Sequence, residues 1–504
     1  MISPAGRASR APPLRPLLDS TRPCTPSGTS SLRTTLAFVP SASASRPELT
    51  VGLSPSAAAA RYSIACSALE NRMSSTTSPP SRAVSVPVAP EKVVVTVAVR
   101  GFICIFDQNH LTSPPGPADV PGRPTPQECL VSTRAARLLG RPYTLGSAEL
   151  PNRIVMAPMT RAFSPGGVPG ADVAAYYARR AAAGTGLIIT EGTYIDDPSA
   201  GDVAAVPRFH GEASLAGWAD VVEAVHGAGG RIMPQIWHVG ITREAGKPPF
   251  PEAPSVGPSG IALDGTEGAG TALDLAGIDR IVGAFAEAAA QAERIGFDGV
   301  ELHGAHGYLI DEFLWERTNR RTDGYAGGAA ERARFAAEIV AAVRERVAPD
   351  FPVVFRFSQW KAGAYDAQLA RTPDELADVL TPLADAGVTA FHASGRRYWE
   401  PEFPEADAEL NIAGWTRKVT GLPTITVGSV GLDQVFAPEM FTGGDAHADV
   451  SGVEKLLDRL EDDEFDLVAV GRALLADPEW ARKVLDGRES ELVPFTKAAL
   501  GTLH

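Results

Sequence analysis

Beyond about position 135 the apolar residues fall into short, nearly continuous runs, separated by longer Ala-rich stretches with helical spacing. The runs are Arg153–Ala157, Leu187–Glu191, Arg231–Trp237, Gly299–His303, Val353–Phe357, Ala390–Ser394, Thr424–Val427 and Leu467–Gly471. Runs this short, with little polar alternation, read as strands covered on both faces. The stretches between them predict helices over 172–183, 213–228, 276–295, 329–347, 373–386, 409–419 and 447–462, with a last one at 478–486. Eight strands, each followed by a helix, is the count of an α/β fold of the (β/α)8 TIM barrel type, here over 137–504. A doubly wound open sheet is the alternative, but the G-x-G-x-x-G signature expected after its first strand is missing. The longest insertion, Val239 to Asp274, is rich in Gly and Pro and predicts a lid or rim element after the third strand.

In such a barrel the reactive groups belong at the C-terminal ends of the strands. The first strand runs into Pro158-Met159-Thr160-Arg161 and the second ends on Glu191-Gly192-Thr193. The third carries Gln235 and Trp237, and the fourth leads into His303, His306 and Tyr308, spaced by small residues. The fifth carries Arg356, the sixth ends on His392-Ala-Ser-Gly-Arg-Arg-Tyr-Trp399, the seventh on Gly428-Ser429-Val430-Gly431, and the eighth on Gly471-Arg472. Glycines that allow backbone approach and a guanidinium at a helix start make a phosphate site, and loops seven and eight are its usual place in this fold. Gln235 can donate and accept at once, as a pyrimidine-like edge requires, and Arg356 can sit beside a ring that becomes anionic on reduction. With the Thr160 hydroxyl and a phosphate site, these groups suggest flavin mononucleotide. A turn glycine, a surface arginine or a satisfied core glutamine is the plain reading of each alone. A zinc reading of Glu301, His303 and His306 lacks an evident further rim ligand.

Asn152-Arg-Ile-Val-Met-Ala-Pro-Met-Thr-Arg161, Gln235-Ile-Trp-His-Val-Gly240, His303 to Tyr308 with Asp311-Glu-Phe-Leu, Asn319-Arg-Arg-Thr-Asp-Gly-Tyr325 and Gly471-Arg472 occur in the order of one family. Over 137–504 the chain resembles the Old Yellow Enzyme family of FMN-dependent ene-reductases, and its Phe357-Ser-Gln-Trp-Lys361 and Arg397-Tyr-Trp-Glu-Pro-Glu-Phe403 segments resemble a bacterial-type branch. The resemblance implies that Pro158, Met159, Thr160, Gly192, Gln235, Arg356, Gly428, Ser429, Val430, Gly471 and Arg472 hold FMN. It implies that His303 and His306 bind a substrate carbonyl oxygen and that Tyr308 gives the proton, with NADPH or NADH as hydride donor and an enone or enal as substrate. Thr160 matches the threonine form of the flavin-side position rather than the cysteine form. Tyr325-Ala-Gly-Gly328 replaces the usual Tyr-Gly-Gly-Ser, and no counterpart of the C-terminal active-site tyrosine is evident, Phe495 being nearby. A phosphate-binding barrel without flavin, or a flavin-binding sensor without turnover, are the competing readings.

Residues 1–90 hold eighteen Ser, nine Arg, no Lys and only Asp19, Glu48 and Glu70 as acids. That is the composition of a transit peptide, plastid more than mitochondrial, with a low-complexity tail as the alternative. Residues 91–136, with two Pro/Gly clusters, read as a linker, and Val93 to Phe106, interrupted by Arg100, as irregular. The chain carries −14 in all, so 91–504 carry −20 once the +6 of the first ninety residues is removed. An acidic body argues against nucleic acid as a partner. From Leu130 onward there is no cysteine, which removes thiolate nucleophiles, thiolate-held clusters and disulfides from the barrel, and with them the iron–sulfur branches of the family. No run of about 18 apolar residues is present to predict a spanning helix.

Overall fold

The computed structural model describes residues 95–99, 102–106, 134–435 and 446–504. The transit-peptide-like segment 1–90 lies outside them, as does most of the expected linker. Part of that linker departs from expectation: Val95–Val99 and Phe102–Phe106 pair as an antiparallel hairpin rather than staying irregular. Both segments are built of β-branched and aromatic residues, and Arg100 falls between them instead of inside either, so it interrupts no strand.

Residues 134–504 form the barrel. Its strands are β1 (Ile154–Met156), β2 (Leu187–Tyr194), β3 (Arg231–Trp237), β4 (Val300–His306), β5 (Val353–Lys361), β6 (Ala390–Ser394), β7 (Thr424–Val427) and β8 (Leu467–Val470). All pair in parallel in chain order, and β8 closes the cylinder by pairing with β1, Val468 against Ile154. Outside lie α1 (Ala171–Ala182), α2 (Glu212–Gly227), α3 (Leu275–Arg294), α4 (Arg334–Arg344), α5 (Pro373–Ala386), α6 (Ile412–Thr420), α7 (Glu454–Glu461) and α8 (Trp480–Asp486). The caps are local chemistry: Asp274, Thr372 and Asn411 each accept a backbone N–H two or three residues into α3, α5 and α6, satisfying donors that a helix start leaves unpaired.

Strand alternation divides the apolar residues into two cores. Val155, Leu187, Ile189, Met233, Val354, Ala390, Ile425, Leu467 and Ala469 fill the interior of the cylinder. Their neighbours Ile154, Ile188, Ile232, Phe355, Phe391 and Val468 pack outward under the helices. A hairpin of Tyr143–Leu145 and Ala148–Leu150 adds Leu145, Ala148 and Leu150 to the inner core. It is tied to the N-terminal end of the barrel by Ser147 N–H donating to the Asp350 carbonyl at 2.8 Å. That end is therefore plugged with side chains, and the opposite end carries the polar groups.

Several boundaries differ from the sequence reading: β2 and β5 run past their expected ends to Tyr194 and Lys361, α6 begins at Ile412, and three differences are larger or bear on the site. The helix expected over 329–347 is two pieces, Ala329–Arg332 and Arg334–Arg344. The start of the one expected over 447–462 is instead a strand, His447–Ala448 pairing with Phe495–Thr496, and α7 begins only at Glu454, past the poor helix formers Ser451 and Gly452. β4 does not end at His303 but runs through a bulge to His306.

A buried ion pair holds the segment after β4 in place. Lys361, opposite His306 on β5, donates to Asp311 Oδ1 at 2.7 Å, and both side chains are 0% exposed. Asp311 Oδ2 accepts the Gly307 N–H at 2.7 Å. Asp311→Ala is expected to cost about 3–5 kcal/mol in urea unfolding, because it strands a buried ammonium, whereas Asp311→Leu with Lys361→Met should recover most of that loss. Equal stability of the single and double variants would refute a dominant role for the pair.

Candidate active site

The bulge in β4 decides where its imidazoles go. In an extended strand, residues three apart face opposite sides. Here the pairing with β5 shifts register between Gly304 and His306, and His306 takes a φ of +68°, so both rings reach the same rim. Their centroids are 5.2 Å apart, nearly perpendicular. Gly304 is needed at this turn, since a Cβ there would stand 2.3 Å from the Phe355 ring.

His303 is buried, stacked on Trp237 at 5.8 Å and edge-on to Tyr308 at 5.0 Å. Its Nδ1 accepts the Ala305 N–H at 3.4 Å, which leaves Nε2 to carry the proton of the neutral ring. Burial, reinforced by the Arg356 cation, holds both His303 and His306 well below the usual 6.5, so both are neutral donors at physiological pH. His306 stacks on Trp360 at 4.3 Å and meets Ser394 Oγ through Nε2 at 2.8 Å. Tyr308 caps a short helix, Leu309–Leu314, and packs edge-on against Trp237 at 4.8 Å. Burial pushes its phenol up to about 12, with the Asp202 carboxylate adding to the rise.

Inside the barrel, one layer deeper, is a polar network that the sequence reading did not foresee. Glu301, 0% exposed, accepts Gln235 Nε2 at 2.8 Å on one carboxylate oxygen and His392 Nδ1 at 2.6 Å on the other. A carboxylate only accepts, so Gln235 must turn its NH2 to Glu301 and its carbonyl elsewhere. Arg356 stands in register with His303 and His392 on the flanking strands, donates to Ser394 Oγ at 3.2 Å, and keeps a buried Nε with no partner. Glu301 thus faces Gln235 and His392 rather than joining His303 and His306 around one point.

A cavity of about 530 Å³ opens beside Tyr308 and Trp237. Thr160, Tyr194, Asp202, Trp237, Leu263 and Tyr308 are among its walls. The expected rim element thus serves as a wall through Leu263, and it is organised around the buried Arg243, whose guanidinium donates to the carbonyls of Gly201, Ala253 and Phe250. Thr160 is set by the loop after β1. The N–H groups of Arg161 and Ala162 both donate to Glu191 Oε2 at 2.8 Å, and the Arg161 guanidinium holds the carbonyls of Ala499, Leu500 and Thr502.

The ends of β7 and β8 converge as expected. Ser429 Oγ donates to the Gln434 carbonyl at 3.1 Å, and Arg472 donates to the same oxygen. Burial lowers Arg472 to about 10, which leaves it cationic at neutral pH. A Cβ on Gly471 would make only ordinary contacts, with Met159 Sδ at 3.6 Å and Ala157 Cβ at 3.9 Å.

The family model described as NADH:flavin oxidoreductase / NADH oxidase matches residues 139–447. The chain belongs to this family, that of Old Yellow Enzyme. It is 33% identical over 366 residues to a chanoclavine-I aldehyde reductase of Penicillium roqueforti, covering 71% of this chain and 91% of that one. It is 36% identical over 368 residues to an NADH oxidase of Thermoanaerobacter brockii, but spans only 52% of that relative's length against 71% of its own. Among solved structures, morphinone reductase in complex with tetrahydroNAD superposes with a TM-score of 0.57 at 32% identity, covering 69% of this chain and 91% of the other.

The side chains present on this barrel fit an FMN site. The unpartnered buried Nε of Arg356 and the cationic Arg472 suit an electron-poor ring with a phosphate tail. Pro158, Met159 and Thr160 line up after β1, and Gln235 lies across the strand end with its carbonyl freed by Glu301. Two glycines have a different duty. A Cβ on Gly192 would stand 2.4 Å from Trp237, so that residue makes room for the indole, and a Cβ on Gly428, at φ +144°, would stand 2.9 Å from the Arg396–Arg397 backbone. Val430 is buried, and Phe495 lies buried under the Arg472 guanidinium, 5.6 Å from its ring centre. Sequence reasoning missed Glu301, His392 and Ser394 as partners of the rim groups; the inward phase of β4 and β6, matched to Met233 and Gln235 on β3, was the available signal.

Glu191 provides a pH-dependent test of the Thr160 loop. Burial raises it from 4.5 to about 7. Between those values the folded protein holds a proton that the unfolded chain has released, so this group's contribution to stability falls as pH rises through that window. Relative to wild type, Glu191→Gln is therefore expected to gain up to about 3 kcal/mol between about pH 5 and about pH 8, read from urea unfolding at each pH. A stability difference that stays flat across the window would sink the assignment.

Proposed function

We propose that the protein is an ene-reductase that uses NADPH or NADH to reduce the activated C=C bond of α,β-unsaturated carbonyl compounds, with FMN as its resident cofactor. The observation that carries this reading is the ring contact of two neutral imidazoles and a protonated phenol, His303 against both His306 and Tyr308, with Tyr308 forming part of the wall of a cavity of about 530 Å³. Relatives named as a chanoclavine-I aldehyde reductase, 12-oxophytodienoate reductases and a morphinone reductase support it.

The chemistry that bound FMN supplies is two-electron transfer, hydride in from NAD(P)H and hydride out to the β-carbon of the substrate. Pro158, Met159, Thr160, Gln235, Arg356, Ser429, Val430, Gly471 and Arg472 are the residues that would hold it, Gly192 and Gly428 being set aside by their packing against Trp237 and the Arg396–Arg397 backbone. Arg356 brings a positive charge for the electron-rich state of the ring. His303 and His306 each offer an N–H to the carbonyl oxygen of the substrate. Those bonds strengthen as negative charge grows on that oxygen, so they stabilise the transition state more than the bound substrate. Being neutral, the imidazoles donate without surrendering their protons. Tyr308, raised to about 12, keeps its proton at neutral pH and delivers it to the α-carbon, completing the saturated carbonyl product. The composition of residues 1–90 supports delivery to a plastid, and a native protein whose intact mass retains them there would count against that part.

Tyr308→Phe is expected to keep NADPH-driven flavin reduction while enone turnover falls by about 10²–10⁴-fold in anaerobic half-reactions. Full enone turnover in that variant would remove Tyr308 as the acid. His303→Ala should weaken binding of phenols, which mimic the enolate, by about tenfold, and an unchanged dissociation constant would refute its role. A purified protein that is colourless and takes up no added FMN would defeat the whole reading.

A further inference from the structure

His306 can offer a substrate oxygen only the nitrogen that carries its proton, and the structure shows what selects it. Ser394 Oγ lies 2.8 Å from His306 Nε2 and 3.2 Å from Arg356 Nη2. A guanidinium only donates, so Arg356 occupies a lone pair of the serine oxygen. If His306 Nε2 also donated to that oxygen, the serine hydrogen would be left without an acceptor in a residue only 3% exposed. If the serine donates to Nε2 instead, every polar atom of the hydroxyl is satisfied. The Ser394 carbonyl already accepts Trp360 Nε1 at 2.9 Å. Trp360 also stacks on the His306 ring at 4.3 Å, which holds the imidazole in the plane where Nε2 meets the serine.

We propose that Ser394 is a positioning residue that sets the tautomer of His306, passing orientation from Arg356 through its hydroxyl so that Nε2 accepts and Nδ1–H is left as the donor to substrate. His303 then has the opposite tautomer, its Nδ1 being taken by Ala305 N–H, and the pair presents one Nε2–H and one Nδ1–H to a single oxygen. The same arginine that sits among the proposed cofactor-binding groups therefore also fixes the proton on a substrate-binding group. The use of Nδ1–H on a carbonyl rests on the ene-reductase reading; the tautomer itself does not.

The experiment is side-chain ¹⁵N NMR of histidine-labelled protein, with His306 assigned by its loss in His306→Asn. Wild type is expected to carry the His306 proton on Nδ1. Ser394→Ala should shift His306 toward a mixture of tautomers and weaken phenol binding by about fivefold to tenfold, the size of one lost hydrogen bond, and Ser394→Thr, which keeps the hydroxyl, should restore both. A wild-type His306 protonated on Nε2 overturns the proposal, and this needs no variant to fold. So does a Ser394→Ala protein whose His306 tautomer is unchanged. A protein with the Nδ1–H tautomer that binds neither phenols nor enones would retain the relay and lose the ene-reductase reading.

Discussion

The upper half of this barrel depends on one carboxylate. Glu301 has no access to water, and a charge in such a place is tolerated only if its lone pairs are filled. Gln235 and His392 fill them from two other strands, with the Arg356 cation close enough to be felt. Meeting that requirement has consequences outward. It fixes which end of the Gln235 amide points at the rim, it places a donor proton on His392 Nδ1, and it balances an arginine that would otherwise be an isolated buried charge. Arg356 in turn reaches Ser394, and Ser394 reaches His306. A chain of polar contacts therefore runs from the barrel interior to the rim, with Arg356 Nε and His392 Nε2 left unpartnered along it, and removing its first member would leave further polar atoms unpaired at once.

The bulge in β4 is the complementary device. The network acts through residues that alternate regularly inward, whereas the rim needs two imidazoles from one strand on one side. An extended strand cannot provide that at a spacing of three. One left-handed residue and one glycine without room for a side chain break the alternation at the point where the strand leaves the barrel. Behind it the Lys361–Asp311 pair and the Gly307 N–H stop the segment from drifting, which keeps Tyr308 against Trp237 and His303.

Much of this was legible in the chain because the period of strands and helices is a local property. β3, β6 and β7 begin and end where their apolar runs do, since nothing but burial sets them. The rim residues were legible for a related reason, as polar groups at the ends of otherwise apolar runs have few explanations. What escaped depended on pairings between distant segments. His447–Ala448 is a strand only because Phe495–Thr496 lies beside it, and no property of residues 447–452 alone announces that. The linker hairpin escaped for the opposite reason: Arg100 reads as an interruption of one run when it is a boundary between two. Glu301 could be placed on either face by sequence, and only the register with Gln235 and the reach to His392 decided the matter.

The clasp between Arg161 and the carbonyls of 499–502 bears on how the molecule is made. β1 finds its second neighbour only in β8, more than three hundred positions later, and the guanidinium finds its acceptors later still. During synthesis one edge of β1 has no partner of its own until almost the whole barrel has emerged, and its Ile-Val-Met face must wait without pairing. The loop bearing Thr160 is then among the last parts to be secured. Assembly of the catalytic rim is thus deferred to the end of translation, and the slow, long-range closure of the cylinder falls at the point where the cofactor would enter.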